Sequence, residues 1–470
     1  MNPTHSPRRK APATRLLPVA LAAMLAAGGA LAQTPPATNA LPVLQGGSTP
    51  RNATIGAQTG TGAAPVMNIN QNAARGVIEW QSFDIGSAAR VNIVQPNAQS
   101  VLVNRVMGGA SAPASQIYGA MSANGRVFLV NPAGVTFGAG AQVNVGSLVA
   151  STLDLTPAMT ASNYEAIAGP DAGNTIQFAG GGLAGITVDT GATITADPAG
   201  GGSVVLVDHS RVTHNGVIDA LRGHVALSTG SAANVVLPVT SSGFVDLVVT
   251  QASTVTNFVS TSSDSVIAAE GGSVVLGHRA SRSTADSDNI TLEGVINVGS
   301  TTGAAGSVTA DAGGDVGSVY LRDGAVIAAM GTGAGQTGGA VTLRGSRITV
   351  EERDIRTFAV PPLTNATIDV SGSAGGGVIT LGGDTARSVF VGAANVLSAD
   401  ATASGNGGRL LLAANYANPN ATAPAARVDF GVTEVYGTLT ARGGLQGGNG
   451  GQVETSGRAI TTRLDYLGDI

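Results

Sequence analysis

Short runs in which apolar and polar residues alternate recur along the whole chain, each closed by Gly, Pro or Asn. Arg90-Val91-Asn92-Ile93-Val94, Ser100-Val101-Leu102-Val103-Asn104 and Arg126-Val127-Phe128-Leu129-Val130 are three of them. A period of two places one residue set on one face, so these runs predict strands bounded by turns. Further along, nine runs follow one plan in which a glycine opens the strand: at Gly202, Gly223, Gly272, Gly306, Gly317, Gly339, Gly377, Gly408 and Gly451. A short strand cannot bury its inward residues alone, but a second copy stacked on it can cover them. The pattern therefore predicts an all-β solenoid built from one stacked unit.

Composition narrows this further. The chain has 470 residues with 68 Gly, 3% aromatic and 11% charged residues, yet 43% is hydrophobic. Ala and Val supply most of the apolar volume, which suits a narrow stacked interior and argues against disorder. At about twenty residues and about 4.8 Å per coil, the column would be on the order of 100 Å long. Spacings between successive glycine starts run from 11 to 49 residues, so some coils must carry loops or an unmarked strand.

A formal net charge of −5 and a pI near 5.5 leave no basic footprint for nucleic acid. At the amino terminus, Arg8, Arg9, Lys10 and Arg15 form a positive lead before an apolar run from Leu16 to Ala27. Ala30-Leu31-Ala32 then presents a small-x-small cleavage signal, so residues 1–32 read as a signal peptide cut between Ala32 and Gln33. The run is too short to span a bilayer, and no later segment is apolar enough, so no direct membrane span is expected. The chain has no cysteine, so disulfides cannot stabilise it. Residues 33–63, rich in Pro, Thr, Ala and Gly, read as a flexible leader or cap.

The block after it carries a resemblance. The ordered segments Ile78-Glu79-Trp80-Gln81-Ser82-Phe83-Asp84, Val101-Leu102-Val103-Asn104-Arg105-Val106, Ser115-Gln116-Ile117-Tyr118-Gly119, the run from Ser122 to Val135, and Ala150-Ser151-Thr152-Leu153-Asp154 resemble the amino-terminal secretion domain of filamentous haemagglutinin-type adhesins. The resemblance is closest over residues 64–154. It implies a right-handed parallel β-helix with an amino-terminal cap, assigned to 64–250 as the two-partner secretion domain and 251–470 as glycine-rich repeats. It also implies export from a Gram-negative bacterium through the periplasm, by an outer-membrane β-barrel transporter with periplasmic domains. The product would be secreted or held at the cell surface, as an adhesin for a host or neighbouring-cell receptor. A self-assembling matrix protein and a β-helical polysaccharide-degrading enzyme are the alternatives.

The family signature Asn-Pro-Asn-Gly-Ile falls on Asn131-Pro132-Ala133-Gly134-Val135, so Asn131, Pro132 and Gly134 carry over as candidates for transporter recognition. Of the second signature, Asn-Pro-Asn-Leu, only Pro96 and Asn97 remain, within Gln95-Pro96-Asn97-Ala98. Read as residues, the first set is ordinary turn chemistry: Pro132 fixes its own φ, Asn131 can bond nearby backbone, and Gly134 can take positive φ. Trp80, Phe83, Phe128 and Phe137 gather the large rings in this block and are expected in core or cap packing.

Catalytic groupings are sparse. Asp208, His209 and Arg211 lie together with His214 and Asp219 nearby, Asp311, Asp315, Arg322 and Asp323 form a looser group, and Glu351-Glu352-Arg353-Asp354 is a charged run. On alternating strands and turns such charges are expected to face water. No cofactor, metal site or catalytic residue is assigned, since the histidines lack zinc-like spacing with other ligands.

Overall fold

The computed structural model describes residues 34–197, 200–238, 244–251, 258–278, 289–313, 317–322, 324–351, 365–415 and 431–462. Ala32 and Gln33 lie outside them. All elements below belong to one compact unit, Pro36–Ile470.

Strands stack in parallel into three long sheets. Among the described residues the first sheet has 13 strands, the second 14 and the third 11. One turn of the chain visits the first, third and second sheets in that order: Ser203–Asp208, Arg211–His214 and Val217–Asp219, after which His224–Thr229 lies in register on Ser203–Asp208. The fold is a parallel β-helix. Inward positions pile like on like, with Val204, Val225, Val274, Val308, Val341, Ile379 and Leu410 in successive register on the first sheet. All are essentially inaccessible to solvent. β-Branched and aliphatic side chains with few rotamers suit so thin an interior.

Eight of the nine glycine starts open strands of the first sheet. The ninth, Gly317, precedes Ser318–Leu321 in the third sheet, which accounts for the 11-residue spacing. The 49-residue gap from Gly223 to Gly272 holds an excursion outside the column. The need for glycine is close approach of backbones. A Cβ on Gly339 would lie 2.0 Å from the carbonyl oxygen of Gly306, and one on Gly377 would lie 2.1 Å from that of Gly339. The same carbonyls accept the next rung's first amide, Ala340 N to Gly306 O at 3.1 Å and Val378 N to Gly339 O at 2.9 Å. The glycine ladder lets successive rungs approach to hydrogen-bonding distance at this corner.

The leader segment is more structured than its weak periodicity predicts. Val43–Leu44 pairs antiparallel with Arg75–Ser82, and Ala53–Ile55 and Thr59–Thr61 pair antiparallel with Ala64–Gln71. Antiparallel strands thus cover the open edges of the first rung, which would otherwise present unpaired backbone groups. Edge pairing of backbone needs no apolar alternation, so composition alone did not reveal it.

A second core was also not legible. The chain leaves the column after Ser147–Ser151 to form Asp154–Leu155, a helical segment at Pro157–Ala168 that is kinked at Ala161 to Tyr164, and Thr175–Ala179, and leaves again to form Ala232–Val236 and Asp246–Gln251. These four strands make an antiparallel sheet. Val103, Phe128, Val130, Val205 and Val207 point out of the column and pack with Tyr164, Ile167, Ile176 and Phe178. Of the four expected core rings, Trp80, Phe83 and Phe137 lie inside the column, whereas Phe128 belongs to this outer layer. The expected rod length is corrected too: thirteen strands span about 60 Å, because excursions and corners take residues that the uniform coil assumed for rungs.

Candidate functional site

Asn131 ends the strand Arg126–Val130 and starts the corner to the third sheet. Its Nδ2 donates to Pro113 O and to Ser115 Oγ, both at 2.9 Å, and its Oδ1 accepts from Ala133 N at 2.9 Å. The amide of Gly134 closes the turn on Asn131 O at 3.0 Å, with Gly134 at φ +114°. Pro132 is buried, and a Cβ at Gly182 of the following coil would lie 2.1 Å from its carbonyl oxygen. The corner is wedged between coils. In the folded column its side chains address the chain itself.

Pro96 and Asn97 sit differently, exposed at the corner between the second and first sheets. Asn97 Oδ1 accepts from Gln99 N at 3.0 Å and from Ser100 Oγ at 3.2 Å. Beneath them Gln95 is buried, bonding Gln71 Oε1 at 2.9 Å and Ser100 O at 3.1 Å, while Asn124 brackets its backbone. The structure does not bring the two signature remnants into one site.

It does bring together three residues from the resembling segments that residue chemistry had not singled out. Arg105 forks onto Asp154 with two bonds of 2.8 Å and donates to Tyr164 Oη at 3.1 Å. Tyr164 donates to Glu79, which also accepts from Ser48 Oγ at 2.7 Å. The hydrogen bond to Asp154 holds the Arg105 guanidinium further into its charged form, against the opposing effect of burial. Burial, then the Glu79 contact, pushes the Tyr164 phenol up to about 12. Arg51 bonds Glu165 at 2.6 Å. The network fastens the amino-terminal cap, the first rungs and the helical excursion to one another. Glu79, Arg105 and Asp154 stand on separate strands, and their placement within matching segments was the one available sign.

The catalytic candidates disperse. Asp208 is fully buried and accepts from Thr152 Oγ1 and from the amides of Ser210 and Arg211, both at 2.5 Å. Burial raises its pKa against these hydrogen bonds. His209 Nδ1 lies 3.3 Å from Gly180 O, Arg211 faces outward on the third sheet, and Asp219 stands half-exposed on the second. His214 is inside the column with Nε2 3.2 Å from Val266 O, and burial pulls its pKa down to about 4. The expectation that these charges face water fails for Asp208 and His214, because a corner needs an acceptor and an inward strand position admits no solvent. Asp311 Oδ1 accepts from Gly313 N at 2.9 Å, and Arg322 is exposed. Asp315, Asp323, Glu352, Arg353 and Asp354 lie outside the described residues. Among the described residues no three His, Asp or Glu side chains gather as metal ligands, and no helix is long and apolar enough to cross a membrane.

Comparison with known proteins gives these positions a context. The family model described as the TPS secretion domain matches residues 42–321. The heme/hemopexin-binding protein of Haemophilus influenzae (strain ATCC 51907 / DSM 11121 / KW20 / Rd) is 39% identical over 165 residues, 35% of this chain and 17% of that protein. Another heme/hemopexin-binding protein of Haemophilus influenzae is 48% identical over 92 residues, 20% of this chain and 10% of its own length. The matches thus span a small part of these relatives. The crystal structure of the HMW1 secretion domain from Haemophilus influenzae aligns with a TM-score of 0.63 at 21% identity, covering 89% of this chain and 97% of that one. At that identity the likeness is one of fold.

Proposed function

The chain belongs to the TPS secretion domain family, and from that premise we propose that it is an adhesin whose capped first rungs are read by the transporter and whose later rungs are displayed outside the cell. Two-partner secretion exoproteins cross the outer membrane with a dedicated transporter as partner, and the fold is the family's β-helix. The carrying observation is the family match over residues 42–321. It takes in the cap strands, the Asn131 corner and the Arg105–Asp154–Tyr164 network alike. Division of labour follows from the same layout: residues 64–250 engage the transporter and start folding, and residues 251–470 present a surface to a receptor. The chain performs no catalysis in this reading.

Because Asn131 and Pro132 are buried in the folded column, recognition through them belongs to the unfolded chain in the periplasm, before the corner closes. Pro96 and Asn97 are accessible in either state. The test is expression in a Gram-negative host with and without the cognate outer-membrane barrel transporter. Extracellular chain should appear only with the transporter, and its amino terminus should begin at Gln33. Equal release in both strains would overturn the reading.

A further inference from the structure

Among the described residues the hydrophobic core of the column beyond Val259 is built from Val, Ile, Leu and Ala, with no large ring. Among the described residues after Gln251 there are four aromatic side chains: Phe258, Tyr320, Phe390 and Tyr436. All four belong to the third sheet or directly follow one of its strands, and all are half-exposed. Single exposed rings are ordinary, but rings gathered on one of three available sheets form a patch.

The register gives the patch a shape. Tyr320, Thr349 and Phe390 occupy successive register positions, with Thr349 buried between the two rings, which stand two rungs apart, about 10 Å along the axis. The Phe390 and Tyr436 rings meet at 5.9 Å with a 51° tilt. The guanidinium of Arg322 lies 4.7 Å from the centre of the Tyr320 ring, and that of Arg211 lies 5.7 Å from Phe258. Phe258 and Tyr320 thus each have a guanidinium beside them, Glu434 stands in register with Phe390, and half-exposed hydroxyls of Ser260, Thr291 and Ser388 lie on the same sheet.

Charge selects the ligand class. Among the described residues at this face Arg211, Arg322, Arg347 and Arg387 stand against Glu293, Glu351 and Glu434, close to balance although the chain as a whole carries −5. A balanced face attracts neither a polyanion nor a polycation. Flat rings flanked by planar guanidinium and carboxylate groups suit a ligand with apolar C–H faces and pairs of neighbouring hydroxyls. We propose that the outer face of the third sheet, from Phe258 to Tyr436, binds an uncharged glycan lying along the column. Tyr320 and Phe390 stack on sugar rings two rungs apart, Arg322 donates to hydroxyls, and Glu434 accepts from them. The stacked rungs present related groups at a fixed interval, which a linear polymer of repeating sugars can meet more than once.

This deepens the adhesin reading and rests on it only for the setting, because the chemistry is testable on purified chain without a transporter. The purified chain is titrated calorimetrically with cellohexaose, maltohexaose, chitohexaose and a heparin-derived hexasaccharide. At least one neutral hexasaccharide should bind with a Kd below about 1 mM, and Tyr320→Ala with Phe390→Ala should weaken it about tenfold or more. Circular dichroism and Tm should be unchanged, since both rings point outward. Should the pair disturb folding, Arg322→Ala alone must weaken binding at least about threefold. No neutral binding at about 5 mM, undiminished binding by the variants, or binding of the heparin fragment alone would overturn the proposal, the last two in favour of another surface or a charged partner. Such a failure leaves transporter-dependent export standing, and loss of transporter dependence leaves the glycan site standing.

Discussion

Asn131 directs every polar atom of its side chain at its own chain, to Pro113, Ser115 and Ala133. Replacing it with Ala leaves the Pro113 carbonyl, the buried Ser115 hydroxyl and the buried Ala133 amide without that partner. We expect Asn131→Ala to lower stability by about 1–3 kcal/mol in urea unfolding, and an unchanged midpoint would mean that the residue serves only recognition. The turn was legible from Asn, Pro and Gly in a row, but its burial was not, since Pro113 and Gly182 come from other coils. His214 makes a second residue-scale case. With its pKa pulled from 6.5 down to about 4 by burial, the folded chain refuses a proton that the unfolded chain accepts between those values. Stability is then complete above about pH 6.5 and falls by on the order of 3 kcal/mol as pH drops to about 4, with no further loss from this group below that. Burial shifts His224 in the same direction. Unfolding measured from pH 7.5 to 4 should show a shallower decline for His214→Leu than for the parent chain, and equal slopes would remove His214 as the cause.

At the level of strands, the glycine starts mark a corner where two backbones nearly touch. Gly339→Ala places a Cβ 2.0 Å from Gly306 O, so the rungs must part and their hydrogen bonds stretch. A loss of more than about 1 kcal/mol is expected, against less than about 0.5 kcal/mol for Gly303→Ala, whose nearest neighbour would be 3.7 Å away. Equal stabilities in denaturant titration would show that backbone freedom, and not contact, selects glycine there. The strands themselves were visible as alternation, yet Arg126–Val130, Ser147–Ser151 and Ser203–Asp208 are buried at every position. Their near-continuous apolar runs carried the sign of a sheet covered on both sides. What covered them could not be read, because the kinked helical segment at Pro157–Ala168 and the antiparallel strands belong to excursions that carry no sign of the repeat.

For the whole column, each added rung buries apolar side chains and pairs a row of amides, while the amino-terminal edge is already closed by antiparallel strands. Folding that proceeds rung by rung outside the membrane would oppose backsliding of the exported chain. Val205 is held in parallel register by Val149 on one side and Ala226 on the other. Val205→Pro removes a ladder donor in the middle of a sheet and should reduce the amount of chain released by the transporter. Undiminished export of an unfolded product would show that folding does not oppose backsliding. The two excursions that shorten the column also thicken its first half, while the rings of the third sheet stand in the half beyond it.

By itself the sequence determined that one short unit is stacked, since alternation and the recurring glycine are local and each rung repeats the same short-range rule. It determined the family as well, through segments whose order survives without knowledge of their contacts. Only the tertiary structure decided which glycines share a corner, which charges are buried and which aromatic rings share a face. Those are properties of residues about one rung apart in space but variably spaced along the chain, because the excursions between rungs follow no period.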